Sequence, residues 1–398
     1  MDRFTVSGRR TSGKEALAPV SFGDPRFQQV LVDALAASDE VDRWTHGFHT
    51  YPAGLHPDAA AILIREVGGA RILDPFCGGG TVLVEGRAQG RSVVGRDVSP
   101  TALRVAHLRS SAPDEATLTR FRSASRALTA AAREARELPP PMILRAVEEW
   151  YAPHVLCELE SLRSGIAQQP AEIRGFLRGC LSSILVKTSW RKSDTSAKRE
   201  KHRRPPGTAA VLFHKKCREW ARRSTALRET VPEGTAEADI RPGDARTIRV
   251  DPVDLVLTSP PYPSTYDYLP MQHLRHVWFG NRPDTDREIG PRRAWRTGGA
   301  AARREWLEDT NRWTANMARL LSPGGRLCIV IGDGLTPSGT VDTSEPTEEA
   351  ARAAGLTSLA RASVGRPDHA RDSVRWEHIF LYEKPLGSVA DTGAAEGS

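Results

Sequence analysis

Short apolar runs alternate with amphipathic stretches through much of the chain, a pattern typical of a sheet with helices on both faces. Residues 71–74 predict a buried strand that runs into a glycine-rich turn, and residues 81–89 predict the helix that follows it. Residues 92–95 predict a second strand that ends at Asp97, and Pro100 begins another helical pattern. This alternation predicts an α/β fold with a doubly wound sheet.

Residues 113–235 interrupt the alternation with several helical patterns and few candidate strands, so we predict a helical insertion there. The insertion divides the α/β core into a first part, residues 25–112, and a second part, residues 236–385. Neither end of the chain is periodic: residues 1–24 predict a flexible arm, and residues 386–398 predict a disordered tail. The remaining core elements that the pattern predicts are strands at 254–257, 326–331 and 376–383, a weaker strand at 356–364 and a helix at 310–321.

Composition limits the class of protein. Hydrophobic residues make up 39% of the chain, enough for a substantial core, and the apolar runs are too short to cross a membrane. The first residues lack the apolar stretch of a secretory signal, so we expect a cytoplasmic protein. The 5 cysteines have no C-x-x-C spacing, which indicates neither a zinc site nor a redox pair, and no metal is predicted. The net charge of +7 permits a polyanionic partner.

A glycine loop follows the first predicted strand, with the sequence Asp-Pro-Phe-Cys-Gly-Gly-Gly-Thr at residues 74–81. A strand that ends in an acid, followed by a glycine turn and a helix, is typical of a nucleotide-type site. Glycines such as Gly78 and Gly80 let the backbone approach a ligand closely. The carboxylate of Asp74 would repel a pyrophosphate group, but it suits a cofactor that carries positive charge. The amino and sulfonium groups of S-adenosylmethionine fit this description, so we predict that cofactor.

Two further aspartates are candidates for the same site. Asp97 ends the next predicted strand, where a carboxylate can accept hydrogen bonds from both ribose hydroxyls of a nucleoside. The alternative for Asp97 is a helix N-cap before Pro100, a role that Ser99 fills better. Asp244 follows another short predicted strand and is a candidate acceptor for an adenine amino group, although an ordinary turn aspartate explains it equally well.

The candidate chemical motif is Thr-Ser-Pro-Pro-Tyr at residues 258–262, directly after an apolar strand. Two successive prolines, Pro260 and Pro261, stiffen the backbone and leave carbonyl groups exposed. The Ser259 hydroxyl and the Pro260 carbonyl can accept the hydrogens of a planar amino group, which localises the lone pair on its nitrogen. Tyr262 can stack on a base, as aromatic residues do in enzymes that flip nucleotides.

The two motifs resemble those of the amino-methyltransferases of DNA, which carry an acid-Pro-Phe-x-Gly-x-Gly loop and a four-residue catalytic motif. The resemblance implies a Rossmann-like methyltransferase sheet, with a cofactor pocket that includes Phe76 and also Tyr51, from the sequence His-Thr-Tyr-Pro at residues 49–52. Ser-Pro-Pro-Tyr in this family usually accompanies N4-cytosine methylation, so the resemblance favours a site-specific, cytosine-N4 DNA methyltransferase. Carbon-5 methylation is discounted, because that family places its nucleophilic cysteine after a proline and no cysteine here follows one.

Basic residues are concentrated late in the predicted insertion. Residues 187–223 contain thirteen lysines and arginines against three acids, a local charge of +10. A second basic stretch, residues 287–304, follows the catalytic motif and predicts a loop. Such segments neutralise phosphates in nucleic-acid-binding proteins, and a solvated basic loop is the alternative. The candidate nucleic-acid contacts are Lys187, Arg191, Lys192, Lys198, Arg199, Lys201, Arg203, Arg204, Arg292, Arg293 and Arg296.

Other activities remain open from the sequence. N6-adenine methylation in DNA and base methylation in RNA are the nearest alternatives, since a basic helical insertion does not separate the two polymers. Methylation of a protein glutamine is more distant, and Ser259 weighs against it. A catalytically silent module that binds cofactor or nucleic acid is disfavoured by the intact Asp74 and Ser-Pro-Pro-Tyr motif. The expected partners are a nucleic acid, DNA before RNA, and, for a restriction–modification role, cognate restriction or defence proteins.

Overall fold

The computed structural model describes residues 17–386 other than 38, 40, 50, 53, 195, 337–338 and 369–372, and it also describes residues 3–4 and 10–11. An eight-stranded sheet forms the centre of this part of the chain. Its strands are β1 (Val20–Gly23), β2 (Arg71–Asp74), β3 (Ser92–Asp97), β4 (Asp239–Pro242), β5 (Val253–Thr258), β6 (Leu321–Gly332), β7 (Thr357–Asp368) and β8 (Ser373–Glu383). The strands lie in the order β1-β7-β8-β6-β5-β2-β3-β4.

The strand directions confirm the predicted doubly wound α/β fold. All neighbours from β6 to β4 pair in parallel, whereas β8 is antiparallel to both β6 and β7, and β1 is antiparallel to β7. The chain runs outward from β2 to β3 and β4, and then returns to the other side of β2 as β5. The strand order therefore reverses between β2 and β5, and ligands of open α/β sheets bind beyond the carboxyl ends of the strands at such a point.

Helices cover both faces of the sheet. They are α1 (Pro25–Ala36), α2 (Pro57–Val67), α3 (Thr81–Ala88), α4 (Pro100–Ser110), α5 (Glu115–Arg133), α6 (Pro141–Val147), α7 (Pro153–Ala167), α8 (Ala171–Thr188), α9 (Thr208–Thr230), α10 (Tyr268–Met271), α11 (His273–Phe279), α12 (Arg292–Thr297), α13 (Gly299–Leu320) and α14 (Ser344–Ala353). Among the described helices, none combines the length and the apolar character that spanning a lipid bilayer requires.

Two apolar cores lie on opposite faces of the sheet, which explains why the central strands are almost continuously apolar. Along β5, Leu255 and Leu257 belong to the core that α1, α2 and α3 complete. The intervening Val256 belongs to the opposite core, with Trp313 and Met317 of α13. Successive side chains of a strand point to opposite faces, so one short apolar strand supplies both cores.

A third apolar core joins the helices of residues 115–230 to α4 and α11. Trp220 of α9 is fully buried in this core, and its indole N–H donates to the backbone carbonyl of Leu108 at 2.8 Å. The buried carboxylate of Glu158, in α7, accepts three backbone N–H groups at the start of α9, at 2.7 to 3.1 Å. A two-stranded hairpin, Arg191–Ser193 with Ser196–Arg199, connects α8 to α9. The basic segment is therefore anchored at both ends by packed helices.

Two expectations about local structure are wrong. The predicted flexible arm includes Val20–Gly23, but this segment is the edge strand β1, because its backbone pairs with residues 360–363 of β7. The basic stretch after the catalytic motif was expected to be a loop, yet most of it lies in α12 and in the first turns of α13. Buried Trp295 and Trp306 hold these helices against the sheet. The predicted disordered tail lies outside the described residues from residue 387 onward.

Candidate active site

A cleft lies beyond the carboxyl ends of β2, β3, β4 and β5, where the strand order reverses. The glycine loop after β2, the end of β3, the turn after β4 and the Ser-Pro-Pro-Tyr motif after β5 all contribute to its lining. The two predicted motifs therefore meet, because β2 and β5 are neighbours in the sheet although they are distant in the chain.

Asp74 connects the glycine loop to the second motif. The residue is 4% exposed, and its Oδ1 accepts a hydrogen bond from the Thr258 hydroxyl at 2.7 Å and another from the Phe76 backbone N–H at 3.2 Å. Neither bond uses Oδ2, which accepts none of the hydrogen bonds found among the described residues. Burial raises the pKa of Asp74 to about 7, with the Thr258 and Phe76 bonds opposing the rise. A buried carboxylate with one uncommitted oxygen suits the ammonium group of a cofactor.

Two glycines of the loop have backbone conformations that other residues rarely adopt. Gly78 has a φ of 45° and Gly80 a φ of 79°. A Cβ atom on Gly80 would lie 2.8 Å from the Cα of Ala106, and one on Gly78 would lie 3.5 Å from the ring of Tyr51. Gly80 is also the N-cap of α3, so its left-handed conformation turns the chain from the loop into the helix. The loop therefore packs closely between α4 and Tyr51.

Asp97 lies at the cleft with both carboxylate oxygens directed by backbone groups. Oδ2 accepts from the N–H of Gly78 at 2.9 Å, and Oδ1 accepts from the N–H of Ser99 at 2.8 Å. Burial raises the pKa of Asp97 to about 6, and these backbone bonds oppose the rise. Burial also raises the pKa of Tyr51, and the nearby Asp97 adds to that effect. The helix-cap alternative for Asp97 is wrong, since Ser99 caps α4 through a bond from Ala102.

Asp244 lines the cleft next to a buried ion-pair network. Arg246 donates to its two carboxylate oxygens at 2.9 and 2.7 Å, and it also donates to Asp309 at 2.8 Å. Burial opposes ionisation of Asp244, but Arg246 outweighs it, so the pKa of Asp244 is lowered. Asp244 also accepts the backbone N–H of Arg246 at 3.0 Å, as a turn aspartate does. The side chain therefore shapes the turn and lines the cleft as a carboxylate paired with Arg246.

The Ser-Pro-Pro-Tyr motif presents only some of its residues to the cleft. Ser259 and Pro261 are among the lining residues, whereas Pro260 is buried. Tyr262 is 5% exposed, and a Cβ atom on Gly332 would lie 2.9 Å from its ring. Its hydroxyl lies 3.4 Å from the Ser259 Oγ. Tyr262 is not among the lining residues, and its ring packs against Gly332 of β6.

Another part of the cleft lining comes from residues outside the two predicted motifs. Tyr268 and Leu269 of α10 and the segment 287–289 form it. Glu288 accepts the backbone N–H of Leu269 at 2.8 Å and a bond from Arg293, while its burial raises its pKa. These residues form no periodic pattern, and no local spacing connects them to the glycine loop.

The candidate nucleic-acid contacts fall into different structural settings. Arg191 donates to the carbonyls of Ser196 and Met271, both at 2.8 Å, and Arg293 donates to the Thr285 carbonyl at 2.7 Å. These two arginines are part of the local structure. Two others form ion pairs, Lys192 with Glu200 at 2.9 Å and Arg199 with Glu149 at 3.2 Å. Arg204 is half-buried, and the Lys201 ammonium lies 5.2 Å from the centre of the Trp190 ring. The candidates exposed to solvent without one of these ion pairs are Lys187, Lys198, Lys201, Arg203, Arg292 and Arg296.

The basic hairpin is joined directly to a wall of the cleft. The Arg191 bond to Met271 attaches the hairpin to α10, whose Tyr268 and Leu269 line the cleft. A second link is the ion pair between Asp194, at the tip of the hairpin, and Arg275 of α11. The hairpin is therefore attached to α10 and α11 through Arg191 and Asp194.

Comparisons with known proteins agree with this site. Residues 46–149, which include the glycine loop and Asp97, match the family model described as RMKL-like, methyltransferase domain. A 63-residue segment is 41% identical to the Type II methyltransferase M.MvaI of Kocuria varians. That match covers 14% of this chain and 13% of the relative, so the two proteins correspond over a short region only.

The chain also has low similarity to solved structures. TrmN from Thermus thermophilus is 13% identical with a TM-score of 0.33, over 83% of this chain and 49% of that chain. The rRNA methyltransferase aviRa from Streptomyces viridochromogenes is 12% identical with a TM-score of 0.29, over 82% of this chain and 84% of that chain. The matched family domain and the observed site support a methyltransferase that uses S-adenosylmethionine.

Proposed function

We propose that this chain transfers the methyl group of S-adenosylmethionine to the exocyclic amino group of a nucleic-acid base, with cytosine N4 in DNA as the favoured acceptor. One observation carries the proposal: Asp74 of the cofactor loop and Thr258 of the Ser-Pro-Pro-Tyr segment, 184 positions apart, share a hydrogen bond at one cleft. A cofactor loop alone would fit many chemistries. Its attachment to a motif suited to amino groups narrows the proposal to amino methylation.

The cleft offers complementary groups to each part of the cofactor. The uncommitted Oδ2 of Asp74 is suited to the ammonium group, and Asp97 to the ribose hydroxyls. Tyr51 and Phe76 supply ring surfaces, and Asp244 supplies a carboxylate acceptor at the lining of the cleft. When bound, S-adenosylmethionine supplies the methyl group as an electrophilic carbon on a sulfonium.

The chain's part in the proposed reaction is to hold an amino group in position. The Ser259 hydroxyl and the Pro260 carbonyl would accept its two hydrogens, so that the nitrogen lone pair points at the methyl carbon. A nitrogen–carbon bond forms as the carbon–sulfur bond breaks, and the nitrogen then loses a proton to solvent. Positioning of this kind accounts for most of the acceleration in a direct displacement. Tyr268, an aromatic ring at the cleft, is a candidate for stacking on the base in place of Tyr262.

The favoured polymer and base have separate support. The serine at the first position of the motif favours cytosine through the resemblance described above. The exposed cations of the hairpin, which is fixed beside the cleft, favour a polyanion. Site-specific DNA methylation within a restriction–modification system, together with a partner nuclease or other defence protein, extends the same proposal.

Methyl transfer to defined polymers tests the proposal. Purified protein is incubated with S-adenosylmethionine that carries a deuterated methyl group and, separately, with unmodified double-stranded DNA and with RNA. The polymers are then digested to nucleosides and analysed by mass spectrometry. We expect deuterated N4-methylcytosine from DNA. N6-methyladenine would overturn the choice of base, and labelled RNA without labelled DNA would overturn the choice of polymer.

Matched variants connect the product to this cleft. Ser259→Ala removes a proposed acceptor and should reduce the methylation rate by roughly 10²-fold while cofactor binding persists, since each such contact contributes about 3 kcal/mol. Ser358→Ala is the control, because Ser358 is exposed on β7, away from the cleft. Product formation unchanged in Ser259→Ala would exclude the proposed role of the motif. Wild-type protein that binds the cofactor and labels neither polymer would support a binding module instead.

A further inference from the structure

A cluster of three side chains that the proposed reaction does not use lies beyond the carboxyl end of β6. Asp333, Asp342 and His378 each have a potential ligand atom within 4.8 Å of those of the other two. Asp333 directly follows β6, Asp342 directly follows the short strand Gly339–Val341, and His378 belongs to β8. Three separate elements therefore bring two carboxylates and one imidazole together.

The imidazole of His378 is arranged as metal-binding histidines are. The side chain is 6% exposed, and its Nδ1 lies 2.8 Å from the Ser363 hydroxyl. Its Nε2 is buried, has no hydrogen-bond partner among the described residues, and lies 3.5 Å from the Asp333 Oδ1. An outer partner on one ring nitrogen orients the other nitrogen toward a metal. A buried nitrogen without a hydrogen bond beside a carboxylate is also satisfied when a cation lies between them.

Each carboxylate of the cluster has one oxygen committed to protein and one that is not. Asp333 Oδ1 accepts from the backbone N–H and the hydroxyl of Thr343, at 3.2 and 3.3 Å. Asp342 Oδ1 accepts from the backbone N–H and the hydroxyl of Ser344, both at 2.8 Å. The Oδ2 atoms of both aspartates accept none of the hydrogen bonds found among the described residues. The carboxylates are thus oriented by their neighbours and retain an oxygen for a ligand bond.

We propose that Asp333, Asp342 and His378 form a binding site for a divalent transition-metal ion, with Zn²⁺ as the favoured ion. Imidazole suits zinc and its neighbours in the periodic table, whereas Mg²⁺ prefers oxygen ligands alone. Three protein ligands leave a fourth zinc position to water. The ligands are nine and 36 positions apart in the chain, so no short motif in the sequence indicates them.

The ion would stabilise the segment that follows the Ser-Pro-Pro-Tyr motif. The hairpin between Asp333 and Asp342 contacts this segment, since the Ser264 hydroxyl donates to the Leu335 carbonyl at 2.6 Å. A Cβ atom on Gly334 would also overlap the backbone carbonyl of Pro263. An ion held at both ends of the hairpin would therefore restrain the backbone behind the motif, as a positioning element outside the reacting groups.

Zinc binding to the full-length protein tests this proposal directly. The protein is stripped with EDTA, dialysed and titrated with Zn²⁺ against a chromophoric chelator, and bound metal is counted by mass spectrometry. We expect the wild type to bind one Zn²⁺ tightly per chain and to show no comparable Mg²⁺ binding. Asp342→Ala and His378→Gln should each lose at least tenfold in zinc affinity, because replacing even a residue that only orients a ligand lowers metal affinity by about 10- to 100-fold. Asp251→Ala is the control, since this aspartate is 90% exposed and outside the cluster.

Asp342 is exposed, so its replacement tests metal binding with little effect on the core. Thermal unfolding of metal-free protein measures any loss of the Ser344 bonds separately from metal binding. Added Zn²⁺ should raise the melting temperature of the wild type more than that of Asp342→Ala. The proposal is overturned if the wild type binds no zinc tightly, or if Asp342→Ala and His378→Gln bind zinc as the wild type does. His378 and Asp333 would then be a structural ion pair.

Discussion

Asp74→Asn is the substitution for which this structure gives the sharpest expectation. Both hydrogen bonds that the Asp74 carboxylate accepts, from Thr258 and Phe76, end on Oδ1. An asparagine carbonyl can therefore keep both, while an amide replaces the uncommitted Oδ2. The substitution removes the charge and leaves the local hydrogen bonds in place, so the change in stability reports mainly the cost of burying a carboxylate without its cofactor.

The raised pKa of Asp74 sets the size and the sign of the effect. Folding shifts this pKa from 3.8 to about 7, so the folded state holds the proton more tightly than the unfolded state. The contribution of Asp74 to the free energy of unfolding is therefore fully present below pH 4 and is lost as the pH rises through 7. Three pKa units at 1.36 kcal/mol each give an upper estimate of ~4 kcal/mol lost above pH 7. Asparagine does not titrate, so it avoids this loss.

Urea unfolding of the cofactor-free wild type and Asp74→Asn, at pH 5 and at pH 8, measures the expected difference. At each pH, the measured quantity is the free energy of unfolding of the variant minus that of the wild type. This difference should be roughly 2 to 3 kcal/mol larger at pH 8 than at pH 5. The same variant should lose S-adenosylmethionine binding in calorimetry, because its amide cannot pair with the ammonium group. If this difference in the free energy of unfolding is the same at the two pH values, the buried charge of Asp74 is not a source of instability and the expectation is wrong.

Substitutions at four further residues give simpler expectations. Thr258→Val removes the hydroxyl that orients Asp74 and should weaken S-adenosylmethionine binding by about tenfold or more in calorimetry, whereas Thr258→Ser should bind as the wild type does. Glu158→Gln weakens the hydrogen bonds to the start of α9 and should lower the free energy of unfolding, measured in urea, by about 1–3 kcal/mol. An unchanged urea midpoint would contradict the anchoring role of Glu158. Lys198→Ala and Arg203→Ala should each weaken binding to any DNA sequence in fluorescence anisotropy and reduce the salt dependence by about one unit, and unchanged salt slopes would exclude these cations from the interface.

Local spacing was enough to predict the elements around the cofactor loop. The strand at residues 71–74 has the predicted bounds, and the helix Pro100–Ser110 begins at the predicted proline. A proline at the first turn, a serine cap and a glycine turn are signals that act within a few residues. The edge strand Val20–Gly23 was missed for the opposite reason, because its pairing partner lies more than 330 residues further along the chain.

The arrangement of side chains within the cleft depends on contacts between distant segments. The Asp74–Thr258 bond exists because β5 returns next to β2, which no pattern near either residue indicates. Tyr262 looks like a stacking residue in the sequence, yet the approach of Gly332 in the neighbouring strand gives its ring a buried position. The residues that complete the wall, including Glu288, belong to a segment without periodicity.

Adjacent strands impose a constraint on the proposed reaction. Neighbouring strands lie about 4.8 Å apart, so the ends of β2 and β5 fix the cofactor loop and the Ser-Pro-Pro-Tyr motif relative to each other. The Asp74–Thr258 bond closes that gap with side chains, and neither motif can shift without disturbing the buried carboxylate. If the proposed function is correct, a target base would have to enter a preformed cleft as an unpaired or flipped nucleotide. Because Arg191 attaches the basic hairpin to α10 of the cleft wall, we propose that the hairpin holds the flanking backbone while the base enters.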